Sequence, residues 1–232
     1  MSVADKLVTV AENQQKVYDA GKNAEWSAFW DAFQKNGERT SYPYALSGRG
    51  WNDETFKPKY NIIIKGLADY VMRNNGVSDL VEQMNKCGIV FDMSEATSVS
   101  YACASTETKH LPTISVTNAT KLTALFGWNS KLVTIDKLIL KSDGTNTYSD
   151  TFSSAYALEN ITIEGVIGTN GFNISQSTNL THDSIMSIIN ALADYSEDTS
   201  GTTWTVTIGS TNKAKLTAEE LLIASDKGWT VK

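Results

Sequence analysis

Between Leu111 and Val166 the chain writes one short pattern three times, and this recurrence constrains its fold more than any other feature. The copies read Leu111-Pro-Thr-Ile114-Ser-Val116, Leu132-Val-Thr-Ile135-Asp-Lys137 and Leu158-Glu-Asn-Ile161-Thr-Ile163. Each alternates apolar with other residues, the period of a strand that buries one face. Ala119, Leu122 and Phe126 lie between the first two copies, and Phe126 and Phe152 precede Leu132 and Leu158 by the same interval. The unit is expected to run strand, turn, short helical segment ending in an aromatic, then strand again. The second interval is longer than the first, and the turn-rich stretch Ser142-Asp-Gly-Thr-Asn146 absorbs the difference in a loop. Such a unit cannot bury its apolar face alone and must stack on its neighbours, so the expected fold is an α/β solenoid, one strand and one short helical segment per repeat.

The flanks read as capping elements. Residues 2–36 are expected to form one helix, with Ser2 as cap and Asn36-Gly37 as stop. Leu7, Val10, Gln14, Val17, Gly21, Ala24 and Ala28 follow the spacing of a coiled-coil seam, which Gln14, Gly21 and the alanines weaken. Trp26, Phe29, Trp30 and Phe33 crowd the helix end. Three readings stand: the aromatics dock this helix on the domain that follows, they form a socket for a partner, or the helix self-associates, with Leu7, Val10, Val17 and Ala24 as its seam. Residues 38–60, rich in Gly, Pro and aromatics, are expected to be an irregular connection that caps the open end of the repeats. Asn61–Ile64 is expected as a first buried strand, Val77 to Lys86 as a short helix stopped by Gly88, and Ile89 to Met93 as the strand of a degenerate copy. In that copy Tyr101 and Ser105 are expected where Leu122 and Phe126 sit in the next. After the repeats, Thr181 caps a helix stapled by Leu180 and Ile185, and Thr217 with Glu220 forms a capping box for a second. A strand is expected near Trp204–Ile208 and another at Trp229–Val231. The layout divides into 1–37, the N-terminal helix; 38–88, the capping region; 89–180, the repeats; and 181–232, the C-terminal helix-and-strand cap.

Leu-x-x-Ile-x-[Ile/Val], an aromatic beyond it and the next leucine six residues later resemble the BspA-type leucine-rich repeat. The match covers about residues 89–180, on Leu111, Ile114, Leu122, Phe126, Leu132, Ile135, Phe152, Leu158, Ile161 and Ile163. The cysteine or asparagine that usually follows the aromatic is missing or displaced, and Lys137 holds one strand position. The whole chain is also similar to hypothetical prophage proteins of gut Firmicutes, in the segments Met1–Leu7, Trp30–Phe33, Gly50–Asp53 and Phe56–Tyr60. The resemblance implies a short degenerate leucine-rich-repeat solenoid that is phage-associated or directed at a cell surface. It carries no catalytic residue across.

Composition narrows the function. A net charge of -6 over 232 residues excludes a generally basic surface for nucleic acid or anionic membrane. No apolar run approaches the ~18 residues of a membrane span, and Met1–Leu7 lacks the pattern of a signal peptide. Synthesis in the cytoplasm is expected, with association to a virion or release by lysis as the route outward. Cys87 and Cys103 lack zinc-ligand spacing and read as partly buried thiols. His110 lies near Cys103, but nothing in the spacing places them in a nucleophile pair. His182, just after a helix cap, reads as a solvated surface residue. The Asp143–Asp150 stretch lacks the acidic pattern of a calcium loop and reads as a turn. No enzyme, cofactor or metal is expected. What remains is a binding surface for a protein or a cell-surface polysaccharide, with Trp128, Tyr148 and Tyr156 as the contact residues. Each of these rings has two placements, outward or inward in place of a small repeat residue, and the inward one is expected for Tyr156. The alternative function is a structural, tail-associated virion component assembled through the N-terminal helix.

Overall fold

Short strands with one apolar face can pair in parallel when the intervening chain crosses back beside them, and the strand pairs of this protein are parallel. The structure is a computed structural model that describes residues 30, 38–41, 45–48 and 50–232. Leu7, Val10, Val17 and Ala24, with Trp26, Phe29, Phe33 and Tyr42–Tyr44, lie outside the described residues. Within these residues the protein is mixed α/β, with three small parallel sheets, few helices and no sheet closed into a barrel.

The first sheet holds β1 (Glu38–Ser41), β2 (Ile62–Leu67), β3 (Phe91–Asp92) and β4 (Ala96–Ser98), with β2 between β1 and the β3/β4 pair. Residues 38–60 are therefore not wholly irregular, because β1 pairs with β2. The second sheet centres on β7 (Thr134–Ile139), with β5 (His110–Leu111) and β6 (Ile114–Ser115) on one side and β8 (Asn160–Glu164) on the other. The third pairs β9 (Trp204–Val206) with β10 (Trp229–Val231). Helix α1 (Leu80–Cys87) is capped by Asp79 and stopped by Gly88 at φ 67°. Helix α2 (His182–Asn190) is capped by Thr181, α3 is the single turn Ser210–Lys213, and α4 (Ala218–Asp226) carries the Thr217–Glu220 capping box.

The strand register corrects one alignment. Leu111 pairs with Ile135, and Ile135 with Ile161, so Leu111 stands opposite Ile135 and not Leu132. Pro112 has no amide to give a ladder, and the first strand splits around it into β5 and β6. Where β8 has Thr162 alone between Ile161 and Ile163, β7 has both Asp136 and Lys137 between Ile135 and Leu138. The result is a bulge that frees Lys137 to meet the Glu164 carboxylate at 2.7 Å.

The expected helical segments are runs of tight turns. In 70–74, 101–105, 124–128 and 150–154 the first and last residues are left-handed, from Tyr70 and Asn74 (φ 59° and 57°) to Asp150 and Ser154 (φ 54° and 59°). Alternate amides serve different partners. Those of Tyr70, Met72 and Asn74 donate to the carbonyls of Ser100, Ala102 and Ala104, while those of Val71, Arg73 and Asn75 close turns within their own segment. The same exchange links Tyr101, Cys103 and Ser105 to Thr123, Leu125 and Gly127, and Ala124, Phe126 and Trp128 to Ser149, Thr151 and Ser153. These bonds place Met72, Cys103, Phe126 and Phe152 in one buried column. Cys103, rather than Ser105, is thus the counterpart of Phe126.

Trp30 is 2 % exposed, packs on Trp51 and Phe56 and donates its indole N–H to the Thr55 carbonyl at 3.0 Å. Beside β8, α2 takes the place of a next strand. Its Ser184 and Ser187 hydroxyls accept from the amides of Ile161 and Ile163 at 3.0 and 2.8 Å, which satisfies the free edge of β8.

Candidate functional site

The left-handed positions carry side chains that the core does not need. Backbone geometry there favours Gly, Asn or Asp, because a Cβ crowds the following carbonyl at a cost of about 1–2 kcal/mol per residue. The chain nevertheless places Tyr70, Tyr101 and Trp128 at such positions, with φ 59°, 57° and 58°. The amide bonds to Ser100, Thr123 and Ser153 hold the backbone in this shape, the last at 2.6 Å. Conformation does not call for these rings, so their presence there has another cause.

The three rings form a row. Tyr70 and Tyr101 stack with centroids 4.9 Å apart and planes 7° from parallel, and Tyr101 and Trp128 follow at 5.8 Å and 4°. The Arg73 guanidinium lies 5.3 and 5.4 Å from the two tyrosine centroids. This is the geometry of a cation–ring contact, worth about 0.5–1 kcal/mol at an exposed site. Trp128 closes the row and is 45 % exposed. The stacked rings spend their inner faces on one another, which leaves ring edges and the exposed Trp128 indole to meet a ligand, with the Arg73 cation beside the two tyrosines. Such a surface suits stacking on a planar or ring-shaped ligand, with little rotamer entropy lost on contact.

Of the other two expected contact residues, the placements reverse. Tyr156 faces out at 52 % exposure, and Tyr148 is the ring that turns in, 4 % exposed and edge-on to Phe172 at 5.1 Å. Tyr148 is thus removed from the exposed contact surface. No ring contact joins Tyr156 to Trp128 among the described residues. Sequence reasoning named Tyr101 only as a repeat position and passed over Tyr70 and Arg73. The signal that finds them is the four-residue interval between left-handed positions around each column residue.

The remaining candidates are dispersed. Cys103 is fully buried, and burial pushes its thiol up to about 12. His110 instead meets Asp136 at 2.7 Å and Asp79 at 3.8 Å, so the Cys103–His110 pair is not brought together. His182 meets Glu220 at 2.8 Å. In the Asp143 turn the Thr145 hydroxyl donates to the carboxylate at 2.7 Å and the Thr145 amide at 3.0 Å, which holds Asp143 below the usual carboxylate range. Among the described residues no group of three His, Cys, Asp or Glu side chains is placed to hold a metal, and no helix is long and apolar enough to cross a membrane. Comparison with protein-family models, curated proteins and solved structures finds no significant match.

Proposed function

We propose that this chain is a non-enzymatic recognition module, a short degenerate leucine-rich-repeat solenoid that binds a protein or a cell-surface polysaccharide through the row ending at Trp128. The solenoid reading is supported by the order of bonding, since the turn segments 70–74, 101–105 and 124–128 each donate to the one that follows in sequence. The observation that carries the binding reading is Trp128 itself, an exposed indole at a left-handed position where the backbone would accept Asn at less cost. Between the two ligand classes, a flat indole beside a row of rings favours the sugar ring. Association with a phage particle or a cell surface rests on the resemblance of the repeats and of the N-terminal segments. The alternative, a structural virion component assembled through its N-terminal helix, is less favoured, because Trp30 spends its ring on Trp51 and Phe56.

The test is binding of the full chain to a glycan array and to purified Gram-positive cell-wall polysaccharide, compared with Trp128→Asn. Asn keeps the left-handed backbone. Saturable binding by the parent and its loss in the variant are expected. A parent that binds neither probe, or a variant that binds as well as the parent, removes the glycan-binding role from Trp128.

A further inference from the structure

Arg73 lies against the aromatic row, and its own bonding is incomplete. The guanidinium carbon is 5.3 and 5.4 Å from the Tyr70 and Tyr101 centroids, which are themselves 4.9 Å apart. Near-equal distances put it level with the gap between the two planes, and their length puts it outside the stack. Among the described residues it makes no ion pair and no side-chain hydrogen bond. Its Nε is enclosed. Nη1 and Nη2 are not enclosed, so their N–H groups remain open to a ligand.

The protein is acidic overall, yet the carboxylates nearest this point are taken up elsewhere. Asp69, which adjoins Tyr70, accepts the Ser98 hydroxyl at 2.6 Å and the Ser100 amide at 2.7 Å. Glu107, whose amide donates to the Asn75 carbonyl, pairs with Lys131. An arginine held in place with its outer edge free is suited to an external anion. The two Nη groups meet the two oxygens of a carboxylate or a phosphodiester side by side, with geometry that a lysine does not offer. Trp128 follows Tyr101 in the row, so the exposed indole lies one to two ring spacings along it from the guanidinium. A short oligosaccharide laid on Trp128 reaches that far with a neighbouring unit.

We propose that the row takes an acidic glycan, with one sugar stacked on Trp128 and the oxyanion of a neighbouring unit held by Nη1 and Nη2 of Arg73. That oxyanion is the carboxylate of a uronic acid or the phosphodiester of a sugar-phosphate polymer, both of which match the fork. The inference rests on the glycan reading of Trp128 and adds the charge of the ligand to it.

Calorimetric titration of the full chain with three probes tests it: a galacturonic acid tetramer, the same tetramer as its neutral methyl ester, and a glucosylated glycerol-phosphate oligomer. At least one anionic probe is expected to bind about tenfold more tightly than the ester, with an affinity that falls as salt is added. Which anion binds separates the carboxylate from the phosphodiester. Arg73→Gln is expected to lose that tenfold and the salt dependence while binding the ester as the parent does. Arg73→Lys keeps the charge without the fork and is expected to fall between them. Arg73 has no side-chain hydrogen bond to lose, so both variants are expected to fold. An ester bound as tightly as either anion overturns the proposal and leaves the Trp128 reading standing. Arg73→Gln with the parent's affinity for the anion does the same. Equal losses for anion and ester in that variant also overturn it, since the arginine would then only brace the rings. A Trp128→Asn variant that binds the anion as the parent does removes the indole, and with it the arrangement proposed. Binding of none of the three probes removes the acidic ligand and the glycan reading together.

Discussion

The side-chain amide of Asn129 donates to the Cys103 carbonyl at 2.5 Å, and its oxygen accepts from the Thr106 amide at 2.6 Å. One buried side chain thus joins two successive turn segments where their own backbone bonding ends. The same device recurs where Asn75 donates to the Leu46 carbonyl and Asn146 to the Ala119 carbonyl.

Asn129→Ala would leave a buried carbonyl and a buried amide without partners. The expected loss is about 2–4 kcal/mol, read as a lower midpoint in urea unfolding. A loss below about 0.5 kcal/mol would show that water replaces the amide without penalty.

The serines of α2 are expected to matter more than their size suggests. Ser184→Ala with Ser187→Ala strips both partners from the β8 edge, at about 1–3 kcal/mol for each amide left bare. A bare parallel edge is also a template for pairing with another chain. The double variant should unfold earlier and show a concentration-dependent rise in mass by light scattering. A monodisperse variant of parental stability would mean that the helix backbone alone covers the edge.

Cys103 gives the chain an alkaline weakness. Burial raises its thiol from 9.0 to about 12 in the folded state. A raised pKa means the folded protein holds this proton after the unfolded chain has lost it. The corresponding stability is complete below about pH 9 and drains away as pH rises toward the folded value. The parent should lose about 1.4 kcal/mol per pH unit more than Cys103→Ala in that window. Denaturant midpoints for the two proteins across the same pH range check the slope, and parallel curves would contradict it.

What the sequence made legible was whatever is fixed by near neighbours. The Gly88 stop of α1, the Thr181 start of α2 and the Thr217–Glu220 start of α4 act within a turn or two of their own helix, whereas α1 begins at Leu80 behind its Asp79 cap and not at the expected Val77. The turn runs escaped because their geometry is decided elsewhere: the left-handed Tyr101 and Trp128 are held by carbonyls of the next segment. The register slipped for a related reason. Leu111 and Leu132 look equivalent in isolation, but β5 and β6 pair with β7 at one constant offset, Leu111 with Ile135 and Ile114 with Leu138, and the bulge at Asp136-Lys137 shifts only the pairing with β8. Of the candidate surface, Trp128 and Tyr156 were legible as aromatics outside the strand pattern. Which of Tyr148 and Tyr156 turns inward was not, because Phe172, the ring that receives Tyr148, comes from a later segment.

The paired left-handed positions leave one more result. Their backbone is set by amide bonds to the adjoining segment, and the buried column between them carries the packing. The side chains at Tyr70, Asn74, Tyr101, Ser105, Trp128, Asp150 and Ser154 are thereby released from most of the work of folding, whereas Ala124 is fully buried. They form a display panel whose lettering can be rewritten while the frame stays put. Under the proposed binding role, exchanging residues at these sites would change what the chain recognises without redesigning its interior.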